Sequence, residues 1–154
     1  MIWDLEERIE DAISAYLRTS VGGSLRIYEA GNFTEMQMPC AIVMTGGTKA
    51  LSETQNWSDV REASVSVIVK TEWAHELNDN QDVIRTAREI HAQAKGAVME
   101  ALARSDLVEL IIATQPYRVL FSAAQVTNTE PDISESVRST LITVDVIASP
   151  AEAA

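Results

Sequence analysis

A chain of 154 residues with 46% hydrophobic and 23% charged side chains has the composition of one folded domain with a sizeable core, and two domains would be cramped in it. Its 12 basic and 23 acidic residues give a formal charge of −11, divided almost evenly between the two halves, which argues against a tight grip on nucleic-acid phosphates because that grip needs clustered Lys and Arg. The N-terminus has no basic stretch leading into an apolar run, and no segment approaches the roughly eighteen apolar residues of a membrane span, so the expectation is a soluble protein made in a cytoplasm, with no membrane partner.

From Trp3 to Leu17 the residues Leu5, Ile9, Ala12, Ile13, Tyr16 and Leu17 recur at steps of three and four, which predicts an amphipathic helix. Acidic residues crowd its first turns and Arg18 its last, as the helix dipole favours; Gly22-Gly23 ends it. Leu25 to Tyr28 reads as a short strand. Cys40 to Met44 follows Pro39 and is apolar without alternation, the pattern of a strand covered on both faces at the centre of a sheet. Cys40, the only cysteine, excludes an intrachain disulfide and reads as a small buried hydrophobe.

Residues 46–60 are rich in Gly, Ser, Thr, Asn and Gln with one large apolar side chain, Trp57, and read as a polar hairpin arm. Trp57 either anchors a neighbouring subunit or folds back on its own sheet. Beyond the arm, Ala63, Val65, Val67, Val69 and Thr71 alternate with Ser64, Ser66, Ile68, Lys70 and Glu72, a strand with one buried face and one wetter face. Asn78, Asp79 and Asn80 supply N-caps for a second helix, whose stripe runs Val83, Ile84, Ala87, Ile90, Ala94, Ala97, Val98, Ala101 and Leu102. Such a rod would be roughly 36 Å long and the main cover of the core. Gly96 interrupts it, as a close backbone approach would require.

Leu107 to Ala113 fits either a short helix or a connecting strand. Tyr117–Thr127 and Val137–Ser149 are two long strands, joined at a turn over Asn128-Thr129-Glu130-Pro131-Asp132. The predicted fold is α+β: a mainly antiparallel sheet of about four to six strands covered by two helices, with a protruding β-hairpin arm. Residues 1–149 form its single domain, with a hairpin tip at 128–136, and residues 150–154 form a flexible tail.

Catalytic chemistry needs convergent polar groups, and the chain offers few. His75 and His91 are the only histidines. The spacing of His75, Glu76 and Asp79 matches no metal pattern, and His91 beside Ile90 fits a packed, hydrogen-bonded side chain better than a base. Thr45-Gly46-Gly47-Thr48-Lys49 lacks the order of a phosphate loop. Neither an enzyme nor a cofactor is expected. A small domain of this kind fits an assembly component, with Trp57, Asn56, Glu53, Glu130 and Asp132 as interaction residues.

Taken together, Leu5 to Leu17, Arg26-Ile27-Tyr28, the run Met38 to Gly46, Arg61 to Thr71, Asp82 to Leu102 and Val137 to Ala148 resemble, in order and hydrophobicity, the tail terminator family of tailed bacteriophages. These are also called tail completion or lambda-type minor tail proteins. The resemblance implies a virion structural protein at the tail-head junction, a homo-oligomeric ring, typically of six subunits, that caps the tail tube and meets a neck or head-completion protein. DNA would pass through that ring without specific binding, along a like-charged wall. The alternatives are another connector, head-closure or neck protein of the virion and, more remotely, a cytoplasmic ligand-binding domain or enzyme.

Overall fold

A computed structural model of the chain describes residues 5–29, 35–50, 60–114, 119–133 and 136–150. Helix α1, Leu5–Val21, follows the predicted stripe: Leu5, Ile9, Ala12, Ile13, Tyr16, Leu17 and Val21 are all buried. Gly22 closes it because a Cβ there would collide with the carbonyl oxygen of Arg18, which the Gly22 N–H itself approaches at 3.1 Å. Strand β1 (Arg26–Glu29) follows, then β2 (Cys40–Ala50) and β3 (Arg61–Glu72). A small β4 (Glu76–Leu77) and β5 (Val83–Arg85) precede helices α2 (Ala87–Leu102) and α3 (Leu107–Thr114), and β6 (Val119–Ile133) and β7 (Val137–Pro150) complete the chain.

Five strands form one sheet in the order β1-β2-β3-β7-β6, with β1 parallel to β2 and every other pair antiparallel. The fold is α+β, as predicted, with three helices among the described residues rather than two. The helices lie on one face. Val65, Val67 and Val69 of β3 and Ile142, Val144 and Val146 of β7 are fully buried beneath them, so the alternation read from Ala63 to Glu72 is the alternation of the fold, and β7 follows the same period. Burying Leu5, Ile9, Ile13 and Leu17 completely contributes about 1.5–3 kcal/mol each. No helix among the described residues is long and apolar enough to cross a membrane.

Several expectations need correction. The centre of the sheet is β3, because the short β1 adds a strand outside β2. Nor is β2 covered on both faces: Ala41 and Val43 are fully buried, whereas Met44 is 40% exposed. Its first residue, Cys40, is buried, and burial pushes the thiol pKa up. Residues 46–50 of the expected arm belong to β2, which carries a bulge between Thr45 and Thr48 with Gly47 at φ 114°, a conformation glycine adopts without strain. The rest of that arm, residues 51–59, lies outside the described residues, as do residues 151–154 of the tail.

The second helix starts later than its apolar stripe. Thr86, with φ −75° and ψ 157°, accepts the Glu89 N–H at 3.1 Å, and the sequence Thr86-Ala87-Arg88-Glu89 is a capping-box pattern. His75 supports the same end, its Nδ1 accepting the Ala87 N–H at 2.9 Å. Val83 and Ile84 therefore lie in β5, 52% and 56% exposed, and the helix is about 24 Å long. Three of its six buried residues are alanine, whereas α1 buries large aliphatic side chains, so the main cover of the sheet is α1. Gly96 faces open space within the described chain, where a Cβ would meet nothing within 4 Å. Leu107 to Ala113 is helical, and the expected turn at 128–132 is strand, since β6 continues to Ile133, which pairs with Arg138 of β7.

Val98 and Ile84 separate the two readings of the helix face. Val98→Asp places a charge among fully buried side chains and is expected to cost several kcal/mol or prevent folding. Ile84→Asp should change stability by less than about 0.5 kcal/mol, and Thr86→Ala should lower it by about 1 kcal/mol. Urea denaturation of the three variants measures all these effects.

Candidate assembly surface

Strand alternation gives the sheet a second face that no described helix covers. Register places its side chains in rows across the strands. One row runs Tyr28, Ile42, Ile68, Leu141 and Glu130; the next runs Arg26, Cys40, Lys70, Ser139 and Asp132. The first is aliphatic across the three inner strands and acidic at β6. The second begins with a cation at β1 and ends with a carboxylate at β6. A groove of about 450 Å³ lies over the β3, β7 and β6 end of both rows, with Ile68, Leu141, Lys70, Pro131, Glu130 and Asp132 among its lining residues.

Glu130 and Asp132, both named from sequence, are thus brought together on the open side of edge strand β6, and both are exposed. Asn128 Nδ2 donates to Glu130 Oε1 at 3.1 Å. Trp57, Asn56 and Glu53, the other interaction residues, lie outside the described residues. Sequence reasoning missed a second exposed apolar feature, the β4–β5 ribbon, where Leu77 and Val83 pair across the strands and are 44% and 52% exposed. An Arg85–Glu76 ion pair at 2.6 Å braces the ribbon, and Asn78 Oδ1 accepts the N–H groups of Asn80 and Asp82 at its turn. The cue was the Thr86 cap, which detaches these apolar residues from the helix that follows.

The titratable groups are placed for structure. His91 is buried between β3 and β7, its Nδ1 2.9 Å from Thr71 Oγ1 and its Nε2 2.8 Å from Thr140 Oγ1. Burial, then the charges of Arg138 and Lys95, hold its pKa below the ordinary value, so the ring is neutral and serves as donor at one nitrogen and acceptor at the other. Glu10 of α1 accepts the Thr45 N–H at 2.7 Å and ties the helix to the β2 bulge. Beside it, burial and a hydrogen bond to Glu29 push the Asp11 carboxyl pKa up to about 7, with the charges of Glu29, Glu10 and Glu7 adding to the shift. Glu29 in turn pairs with Arg18 at 3.4 Å. Among the described residues no group of three or more His, Cys, Asp or Glu could hold a metal ion.

No protein-family model matches this chain, and no curated protein does. Solved structures do match. One chain from the virion of a native gene transfer agent particle aligns over 96% of this chain and 95% of its own length, with a TM-score of 0.50 and 15% sequence identity. The likeness is one of fold, carried by nearly the whole of both chains.

Asp11 gives the fold a measurable pH signature. With its pKa pushed up to about 7, Asp11 holds its proton in the folded protein well above the ordinary carboxylate range near 3.8, at which the unfolded chain releases it. The folded state therefore binds more protons through that interval, and this group's contribution to stability is lost as pH rises through the folded pKa. His91, with a lowered pKa, acts in the opposite sense on the acid side. Asp11→Asn should consequently raise the melting temperature more at about pH 8 than at about pH 5, as thermal scans of variant and parent will show.

Proposed function

We propose that this chain is a structural component of a tailed, phage-like particle, where it caps the tail tube and joins tail to head as a ring at the neck. The observation that carries the reading is the fold likeness to a virion chain over nearly the full length of both proteins. It agrees with the order of elements from Leu5–Leu17 through Val137–Ala148 that resembles the tail terminators. The surface supports it further: an uncovered sheet face and an exposed apolar ribbon offer contact area, while the buried His91, Thr71 and Thr140 are engaged in holding elements together.

In this reading the chain does no catalysis. Its partners are copies of itself in a ring of six, the tail tube protein and a neck or head-completion protein. Its charge of −11 suits a channel wall past which DNA slides, because a like-charged wall does not retain phosphates.

The test is an infected or induced culture that lacks the protein. Electron microscopy should find filled heads separate from tails, with tails of abnormal or unsealed length, and added wild-type protein should restore joining. Normal infectious particles would overturn the reading. Heads that lose their DNA beside tails of normal, closed length would assign the chain to head closure instead.

A further inference from the structure

The β4–β5 ribbon and the groove of the open face lie on opposite sides of the five-stranded sheet. Arg85 Nη1 donates to Gln93 Oε1 at 2.6 Å, and the Ala87 N–H donates to His75 Nδ1 at 2.9 Å, so the ribbon is fastened to α2. That helix packs on the inward face of β3 and β7, where His91 meets Thr71 and Thr140. The groove over Ile68, Leu141 and Pro131 opens on the other face. The ribbon of one chain therefore cannot fold onto its own groove, whereas the ribbon of a second copy can reach it.

Surface chemistry matches the two. Leu77 and Val83 are partners in the ribbon register and are 44% and 52% exposed. Their ribbon has its shape before any contact, because the Arg85–Glu76 ion pair braces it and the Asn78 N–H donates to the Asp82 carbonyl at 2.9 Å across its turn. Apolar side chains held in a preformed shape lower the ordering cost of association. The groove offers an aliphatic floor, Ile68 and Leu141, both half-buried. Charge then fixes the orientation. The ribbon tip carries Asp79 and Asp82, both exposed, while Arg85 and Glu76 neutralise each other at its base. Lys70 on β3 is the only cation lining the groove, and it belongs to no ion pair among the described residues. Glu130 and Asp132 line the β6 side, two strand spacings or roughly 10 Å away. A docked ribbon lays its tip toward Lys70 and away from β6.

From this we infer that the β4–β5 ribbon of one copy docks in the open-face groove of the next, with Leu77 and Val83 against Ile68 and Leu141 and the acidic tip against Lys70. The inference rests on the assembly role proposed above and specifies its contact between copies. The interface is head-to-tail, the helix side of one copy meeting the open side of the next, so repetition either closes into a ring or extends. Each copy contributes one ribbon and one groove, and a defect in either leaves the other intact.

Complementation between variants tests it. Val83→Asp spoils the ribbon and Leu141→Asp the groove floor, with circular dichroism to verify that each is folded; Lys70→Asp is a second groove variant that leaves the apolar packing untouched. In analytical ultracentrifugation each variant should self-associate at least about tenfold more weakly than wild type. An equimolar mixture of the ribbon variant with a groove variant should form a heterodimer and nothing larger, because one intact ribbon meets one intact groove. Folded variants that associate like wild type, or a mixture that stays monomeric, overturn the docking while leaving a virion role intact. A wild type that is monomeric at every concentration also overturns it and leaves the ribbon to a partner of another sequence. The virion role is judged separately by the culture that lacks the protein, so the two failures are distinguishable.

Discussion

A sheet that is buried on one side and open on the other must divide its residues by parity, and the rest of this structure depends on that division. The inward set of β3 and β7 is largely valine and isoleucine, with Thr71 and Thr140 at one end and Ala63 and Ala148 at the other, which suits a pleated surface beneath helices. The outward set mixes Ser, Thr, Lys and Asp with Ile42, Ile68 and Leu141. A one-residue slip anywhere in the ladder would exchange the two sets. Helix α1 is the counterpart of this constraint: its large aliphatic side chains fill the space over the sheet, while the alanines of α2 let that helix approach closely with little volume to bury.

Polar side chains do the fixing that apolar packing leaves loose. His91 joins α2 to β3 and β7 through two threonine hydroxyls, and Tyr16 of α1 donates its hydroxyl hydrogen to the Ala101 carbonyl of α2. Glu10 ties α1 to β2 where the bulge leaves the ladder irregular. Such bonds contribute little net free energy each, but a buried group left without its partner is costly, so they specify one arrangement of helices on sheet.

Electrostatics connects the fold to the proposed role. The chain carries about two acidic residues for each basic one, so most surfaces of two copies repel each other and few positions can attract. Where the scarce cations lie then decides which contacts are favoured. Lys70 is the only cation lining the groove, while Asp79 and Asp82 stand at the tip of the ribbon. In the proposed assembly, repulsion elsewhere would discourage other docking geometries, which is how like charges contribute to specificity.

Read residue by residue, the chain by itself determined the elements whose period is written into adjacent positions: the stripe of α1, and the alternation of β3, which only Ile68 on its wetter face interrupts. The start of α2 was misread because Val83 and Ile84 fit a helical stripe as well as a strand, and only the local cap at Thr86 separates the two. Asn128 to Asp132 carry turn residues yet extend β6, since a long partner strand supplies the pairing and an edge tolerates Pro131. Glu130 and Asp132 could be named for their acidity, but neither their place beside Lys70 nor their position across the sheet from Arg26 was legible. Those relations come from strand order, which joins residues more than a hundred positions apart, and only the tertiary structure decides it, because pairing partners are chosen by the burial of whole faces rather than by local pattern.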